Sequence, residues 1–118
     1  MAINSKQKGK SGELELAHLF TSYGLTARRS QQFKGTGESA DVVFDNPELN
    51  KMLHIECKRD EHLNVEKALQ QAERDRAFGQ TPIVCHRKNK EDWKVTLRFA
   101  DFMEIYKMLL KINDVIRP

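Results

Sequence analysis

The sequence predicts a single α/β domain in which a central mixed β-sheet of about five strands is flanked by helices as a layered sandwich. Three observations support this fold class. The chain has 118 residues, a length typical of one domain. Segments with helical apolar spacing alternate with short apolar runs that end in turn residues. Hydrophobic residues make up 39% of the chain and charged residues 31%, as in folded soluble domains.

The first half of the chain predicts one helix and three short strands. Residues 1–9 are polar and basic, and we expect a flexible arm there, ahead of a domain spanning 10–118. The helix covers residues 10–23, because apolar residues recur on one side of it and Gly24 can end it. The remaining elements are strands over 25–30, 40–44 and 52–58, a loop at 34–39 and a turn at 45–47.

The second half of the chain predicts two helices and two strands. Asn64 is a suitable N-cap for a helix over residues 65–77. Strands follow at 81–86 and 93–99, and the last helix covers 101–112. Its apolar face is made of Phe102, Ile105, Tyr106 and Leu109. We expect the helices to cover both faces of the sheet.

The basic residues are concentrated near the beginning of the chain. Residues 1–37 contain six basic and two acidic residues, although the whole chain has a net charge of only +3. This distribution suits a protein that grips a polyanion, and equally an ordinary solvated surface. No apolar run is long enough to span a membrane, and we expect no secretory signal. The two cysteines, Cys57 and Cys85, favour a reduced, cytoplasmic setting.

Three carboxylates occupy positions that the sequence pattern predicts to be buried, where a charged group is energetically unfavourable. Glu13 lies in the middle of the apolar stripe of the first helix, whereas Glu15 should point outward. Asp41 begins a strand that continues Val-Val-Phe, and Glu56 lies inside the strand over 52–58. Because side chains alternate along a strand, Glu56 shares a face with Lys58.

Buried carboxylates are tolerated together when a cation neutralises them. Mg²⁺ commonly takes one or two protein carboxylates, waters and a phosphate oxygen. A neighbouring lysine can position the attacking water and offset developing charge. The set therefore predicts metal-dependent phosphodiester hydrolysis. The alternative is purely structural, with Glu56 and Lys58 as an ion pair and Asp41 as a strand-start cap.

Several motifs in this order resemble a known family. They are Gly-Lys-Ser-Gly-Glu-Leu-Glu-Leu at 9–16, Arg-Arg-Ser at 28–30, Ala-Asp-Val-Val at 40–43 and Ile-Glu-Cys-Lys at 55–58. The segments 62–65 and 78–84 are also similar. The chain resembles the PD-(D/E)xK nuclease superfamily, in particular archaeal and phage-type Holliday-junction resolvases. The resemblance implies a restriction-endonuclease-like layer sandwich.

The resemblance also implies roles for individual residues. Glu13, Asp41 and Glu56 match the metal-site acids, Lys58 matches the catalytic lysine, and the backbone carbonyl of Cys57 is an additional metal ligand. The implied cofactor is Mg²⁺, with Mn²⁺ as a substitute. We expect DNA contacts from Lys8, Lys10, Arg28, Arg29, Lys34, Arg59 and Arg87.

The implied activity is cleavage of branched DNA by a homodimer, since two nicks on opposing strands need two sites. The apolar face of the last helix would then be either the dimer interface or part of the core. Other readings of the same residues are a nuclease for flaps, nicks or linear duplex, and a DNA-binding protein without catalysis. The pair Glu56 and Lys58 argues against the last of these.

Three other motifs give weaker evidence about function. Gly9-Lys10-Ser11 lacks the glycine that a phosphate-binding loop requires five residues earlier, where Asn4 stands. Strand alternation separates the four zinc-type ligands, so we expect no zinc site; these are His54, Cys57, Cys85 and His86. Gln70 and Gln71 would either orient water or substrate, or lie on the surface.

Overall fold

The computed structural model describes the backbone over residues 5–31 and 40–116, and the side chains over 7–31 and 40–113. These stretches contain four helices and five strands. In chain order they are α1 (Ser5–Ser22), β1 (Ala27–Arg29), β2 (Val42–Phe44), α2 (Pro47–Met52), β3 (Leu53–Arg59), α3 (Val65–Asp75), β4 (Thr81–Arg87), β5 (Lys94–Thr96) and α4 (Phe99–Ile116).

The five strands form one mixed sheet in the order β1-β2-β3-β4-β5. Only β3 and β4 run parallel, while the other neighbours are antiparallel. Parallel neighbours need a crossover connection, and α3 supplies it. At the centre of the sheet, Ile55 of β3 pairs with Val42 of β2 and with Ile83 of β4. The predicted fold class, a small layered domain around a mixed sheet of five strands, is confirmed.

Helices α1 and α3 pack on opposite faces of this sheet. Leu16 and Ala17 of α1 join a buried cluster that includes Ile55 and Cys57 of β3. The α3 cluster is built instead on Val84, which pairs in register with Glu56. Since alternate strand residues point to opposite faces, Glu56 and Lys58 lie on the α3 side.

Gly12 lets α1 approach the end of β3 closely. A Cβ atom added to Gly12 would lie 3.1 Å from Cβ of Arg59 and 3.7 Å from Sγ of Cys57. Gly12 is buried, and the next residue in the helix is Glu13. The close approach therefore brings Glu13 to the end of the sheet where β3 finishes.

The two largest differences from the sequence prediction concern α1 and α2. Helix α1 begins at Ser5, so residues 5–9, expected in the flexible arm, form its first turns. The predicted turn at 45–47 leads into the helix α2, which the sequence analysis missed. Asn46 caps this helix by accepting a hydrogen bond from the Glu48 amide, and Pro47 opens it. The predicted loop at 34–39 lies outside the described residues.

The expectation that the last helix covers a face of the sheet is wrong. Several of its large apolar side chains are exposed, with Phe99 at 77% and Leu109 at 56%. The chain enters α4 from β5 at the edge of the sheet, where Arg98 binds Glu66 and Glu73 of α3. Within the described part of the chain, no helix has the length and apolar character needed to cross a membrane.

Glu15 was expected to point outward, but it joins α1 to β4 and β5. Its carboxylate accepts hydrogen bonds from Nε and Nη2 of Arg87 and from the Trp93 indole, the last at 2.9 Å. The guanidinium of Arg87 also lies 5.7 Å from the centre of the Trp93 ring. These hydrogen bonds, above all those from Arg87, hold the pKa of Glu15 below its usual value.

We predict that Glu15→Gln lowers the free energy of unfolding by about 1–2 kcal/mol at pH 7, because charge-assisted hydrogen bonds to Arg87 are lost. The lowered pKa means that this stabilisation is present above the ordinary glutamate pKa and is lost as the pH falls below it. Urea denaturation at pH 7 and near pH 3 measures both effects. The matched control is Glu48→Gln, whose exposed pair with Lys51 should contribute less than about 0.5 kcal/mol. Equal losses in the two variants would contradict the prediction.

Candidate active site

A cleft of about 500 Å³ opens where β3 ends beside α1. It brings together Glu13, Asp41 and Lys58, three of the four residues predicted to be catalytic. These residues come from α1, from the residue before β2, and from β3 respectively. The complete lining is Lys8, Gly9, Glu13, Asp41, Cys57, Lys58, Arg59 and Asp60.

Asp41 is fixed by the backbone of β3. Its amide donates to the carbonyl of Ile55 at 2.9 Å, and its Oδ2 accepts from the Cys57 amide at 2.8 Å. Since Val42 pairs with Ile55 in an antiparallel ladder, Asp41 lies opposite Glu56 on the same face. The side chains of Asp41 and Glu56 share a hydrogen bond. The two acids therefore form a pair, although 15 residues separate them in sequence.

Glu56 lies behind Asp41 rather than in the wall of the cleft. It is 1% exposed, and its Oε1 lies 2.7 Å from Nε2 of His54, which is also 1% exposed. His54 is a site residue that the sequence analysis considered only as a zinc ligand. The signal that could have found it is strand alternation, because residues two apart on β3 share a face.

Glu13 reaches the same pair from α1. Its Oε1 accepts a hydrogen bond from Nε of Arg29 at 2.7 Å, and its side chain shares a hydrogen bond with Asp41. Glu13, Asp41 and Glu56 thus form a continuous group, which we call the carboxyl row. It joins three segments that are distant along the chain.

Burial and mutual repulsion act on the protonation of the carboxyl row. Burial, followed by the charge of Glu56, raises the pKa of Asp41 to about 7, against the lowering effects of the Cys57 amide and Lys58. Burial also raises the pKa of Glu13, which the hydrogen bond from Arg29 partly offsets. A nearby cation would lower both pKa values. Raised carboxyl pKa values inside a cleft are typical of functional sites.

The donors of the carboxyl row fit a hard divalent cation. Burial raises the pKa of the Cys57 thiol, and its sulfur lies on the α1 face, so only its backbone carbonyl can be a ligand. Across the described residues, no group of three or more His, Cys, Asp or Glu side chains is arranged as a metal cage. One oxygen of Glu56 is bonded to His54, and one oxygen of Glu13 is bonded to Arg29. The set of metal ligands inferred from the sequence therefore stays a prediction.

Lys58 is held beside the carboxyl row by α3. Its Nζ donates to Oε1 of Gln71 at 3.0 Å, and the pair is partly buried. The sequence left open whether Gln71 belongs to the site or to the surface, and this contact places it next to the predicted catalytic lysine. Gln70 instead bonds to Glu66 one helical turn away and is exposed.

Two of the predicted DNA-contacting residues line the cleft and form loose ion pairs, and two more are exposed on the surface. Lys8 lines the cleft with its Nζ 4.0 Å from Glu61, and Arg59 lines it with Nη1 3.8 Å from Glu15 and Nη2 bonded to Asn89 at 3.2 Å. Lys10 and Arg28 are exposed on α1 and β1. Lys34 lies outside the described residues.

The other two predicted DNA contacts have carboxylate partners within the protein. Arg29 bonds to Glu13, and Arg87 uses Nε and Nη2 on Glu15 and Nη1 on the carbonyl of Lys88. This bonding favours a structural role for Arg87, and its contact with DNA stays a prediction.

Ser30 is a further residue that the sequence analysis did not single out. Its amide donates to the carbonyl of Asp41 at 3.0 Å, so it lies next to the carboxyl row. It is 4% exposed, and within the described part of the structure its hydroxyl is buried without a hydrogen-bond partner. Its sequence signal was the motif Arg-Arg-Ser at 28–30.

Comparison with known proteins agrees with this geometry. A family model described as "Phage putative PDDEXK endonuclease" matches residues 4–117. Neither the curated proteins nor the solved structures contain a significant match. The matched range includes every described helix and strand and the whole carboxyl row. The resemblance to PD-(D/E)xK nucleases of phage type is thereby confirmed, and the chain belongs to the phage PDDEXK endonuclease family.

Proposed function

We propose that this protein is an Mg²⁺-dependent endodeoxyribonuclease that hydrolyses phosphodiesters of branched DNA, with four-way junctions as its preferred substrate. The observation that carries the proposal is the carboxyl row, two of whose members, Glu13 and Asp41, share one cleft with Lys58. Family membership supports nuclease chemistry. The metal, the substrate and the residue roles below are the proposed part.

Asp41 and Glu56 are the proposed carboxylate ligands of the metal, together with the backbone carbonyl of Cys57, and Glu13 adds negative charge. A divalent cation, if bound by these residues, would polarise the scissile phosphate and lower the pKa of a bound water. Mn²⁺ shares the preference of Mg²⁺ for oxygen ligands. His54 holds Oε1 of Glu56, and the carboxyl group of Glu56 shares a hydrogen bond with Asp41.

Lys58 is the proposed catalytic lysine. Gln71 holds its ammonium group in the cleft, where its charge lowers the pKa of Asp41. In that position the ammonium can orient the attacking water and offset the negative charge that develops on the phosphate oxygens. A fixed donor does this without reorganisation during the reaction.

We propose that exposed lysine and arginine side chains bind the sugar-phosphate backbone of DNA, and we call this set the backbone grip. Contacts from lysine and arginine to phosphates position DNA without reading its sequence. We assign this role first to Lys8, Lys10, Arg28 and Arg59, and extend it to Arg29, Lys34 and Arg87. The substrate is phage or host DNA in the host cytoplasm, a setting that suits the two free, buried cysteines.

Preference for a junction rests on the resemblance to Holliday-junction resolvases, and action as a homodimer follows from the need for paired nicks on opposing strands. The second candidate is a nuclease for flaps, nicks or linear duplex, which needs only one site. A DNA-binding protein without catalysis is disfavoured, because DNA binding alone does not need Glu13 and Asp41 beside Lys58 in one cleft.

We predict that the protein makes symmetric cuts in a synthetic four-way junction with Mg²⁺, and leaves matched linear duplex and EDTA-treated samples uncut. Asp41→Asn and Glu56→Gln should each reduce this cleavage by at least about 100-fold, because each removes a proposed metal ligand. Gel analysis of end-labelled DNA measures cleavage, and a mobility-shift assay measures junction affinity, which should change little.

The control for these variants is Glu48→Gln, which changes an exposed carboxylate on α2. It should cut at the wild-type rate. Equal cutting of junction and duplex would replace the junction preference with the second candidate. Undiminished cleavage by both cleft variants would contradict the assignment of the site.

We predict that Asp41→Asn stabilises the protein in EDTA at pH 8, on the order of 1–3 kcal/mol. With an Asp41 pKa of about 7 against an unfolded value near 4, the native state binds more protons between those values. Wild-type stability therefore falls as the pH rises through this window, and the variant lacks that fall. Thermal melts from pH 4 to 8 measure it.

Adding Mg²⁺ at pH 8 should raise the melting temperature of the wild type and leave that of Asp41→Asn nearly unchanged, since a ligand stabilises the state that binds it. Parallel melting curves for the two proteins at every pH would show that Asp41 does not carry the repulsion assigned to it.

We predict that Arg28→Ala weakens binding of junction DNA and reduces the slope of log K against log salt by roughly 1, because one phosphate contact is lost. Arg28 suits this test because it is exposed on β1, whereas replacing Arg29 would also release Glu13. The control is Lys51→Ala, an exposed lysine on α2 at the opposite end of the sheet. An unchanged slope in Arg28→Ala would remove that residue from the backbone grip.

A further inference from the structure

Helix α4 carries a large apolar surface that the rest of the described chain does not cover. Seven of its large apolar side chains are exposed by 44% to 77%, in contrast to Leu16 of α1 and Leu69 of α3, which are exposed by 2% and 3%. The exposed side chains on α4 are Phe99, Phe102, Tyr106, Met108, Leu109, Leu110 and Ile112. Exposed apolar surface of this extent is typical of an interaction site.

Part of this surface is arranged as a straight stripe. Phe99, Phe102, Tyr106 and Leu109 follow each other at spacings of three and four residues, which places them along one side of the helix. The rings of Phe102 and Tyr106 stack 6.1 Å apart with an angle of 20° between their planes. We call these four residues the α4 stripe. The charged side chains lie on another side of the helix, at Glu104, Lys107 and Lys111.

The base of α4 is fixed to the domain. Arg98 immediately precedes the helix, and its guanidinium donates to both carboxylate oxygens of Glu66 and to both of Glu73. Both glutamates belong to α3, which packs on the sheet. The α4 stripe is therefore held in a defined position relative to the cleft.

We propose that the α4 stripe is a dimer interface, and that its occupant is the same stripe of a second copy of this chain. Each aromatic side chain can bury about 150–250 Å², so the three aromatic residues of the stripe in each of two copies supply on the order of 1,000 Å². That area meets what a specific interface needs. In a two-fold dimer the same patch serves both copies, and an all-apolar stripe is complementary to itself.

The chemistry of the stripe disfavours other occupants. DNA binding requires cations, and none of the four residues of the stripe is charged. An interfacial membrane helix is typically rich in basic residues on its polar face, whereas here an acidic residue accompanies Lys107 and Lys111. The role of this dimer rests on the proposed function, because paired nicks in a junction require two clefts held in one assembly.

The test is sedimentation velocity on the full chain at micromolar concentration, without DNA. The wild type should sediment as a dimer. Phe102→Glu combined with Leu109→Glu should sediment as a monomer, with at least about 100-fold weaker association, because charges are placed in the interface. The milder pair Phe102→Ala and Leu109→Ala should weaken association by at least about 10-fold. The control is Lys107→Glu with Lys111→Glu, which lies outside the stripe and should remain dimeric.

Circular dichroism of each variant establishes that it is folded, and the alanine pair serves if the glutamate pair is not. A monomeric wild type would overturn the proposal, and so would glutamate and alanine variants that stay dimeric. Asp41→Asn should be an inactive dimer, which separates the two proposals. A dimer that cuts no DNA would refute the proposed function and leave this interface standing, and a monomer that resolves junctions would do the reverse.

Discussion

Three carboxyl groups share one small region at the ends of β2 and β3, and the repulsion among their charges is the constraint on which the site depends. A hydrogen bond from a neighbouring group stabilises each of the three carboxyl groups. Arg29 binds Glu13, His54 binds Glu56, and the Cys57 amide binds Asp41. Even so, burial and Glu56 raise the pKa of Asp41 to about 7. The remaining charge is what a divalent cation would neutralise.

The acidic residues of this protein fall into two groups with opposite behaviour. Hydrogen bonds from arginine hold the pKa values of Glu15, Glu66 and Glu73 below the usual range, and these residues tie elements together. Burial raises the pKa values of Glu13 and Asp41, and these residues line the cleft. The arginine clusters therefore connect elements of the fold, whereas the buried carboxyl row is destabilising in the way that functional sites often are.

The sequence predicted what depends on local spacing. Helical periodicity located α1 and α3, and strand alternation placed Glu56 and Lys58 on one face, as the contact with Gln71 bears out. What it missed depends on distant partners. Glu15 looked like a surface residue because Arg87 is 72 residues away. Periodicity showed that α4 has an apolar face, but spacing alone does not say whether the chain itself covers that face.

The proposed mechanism requires Asp41 and Glu56 to share one divalent cation. Crystals grown with Mn²⁺ and measured for anomalous scattering can locate that ion without reference to activity. We expect one strong peak at about 2–2.4 Å from oxygens of both carboxylates. A well-ordered cleft with no peak between them, or a peak on other residues alone, would contradict the claim.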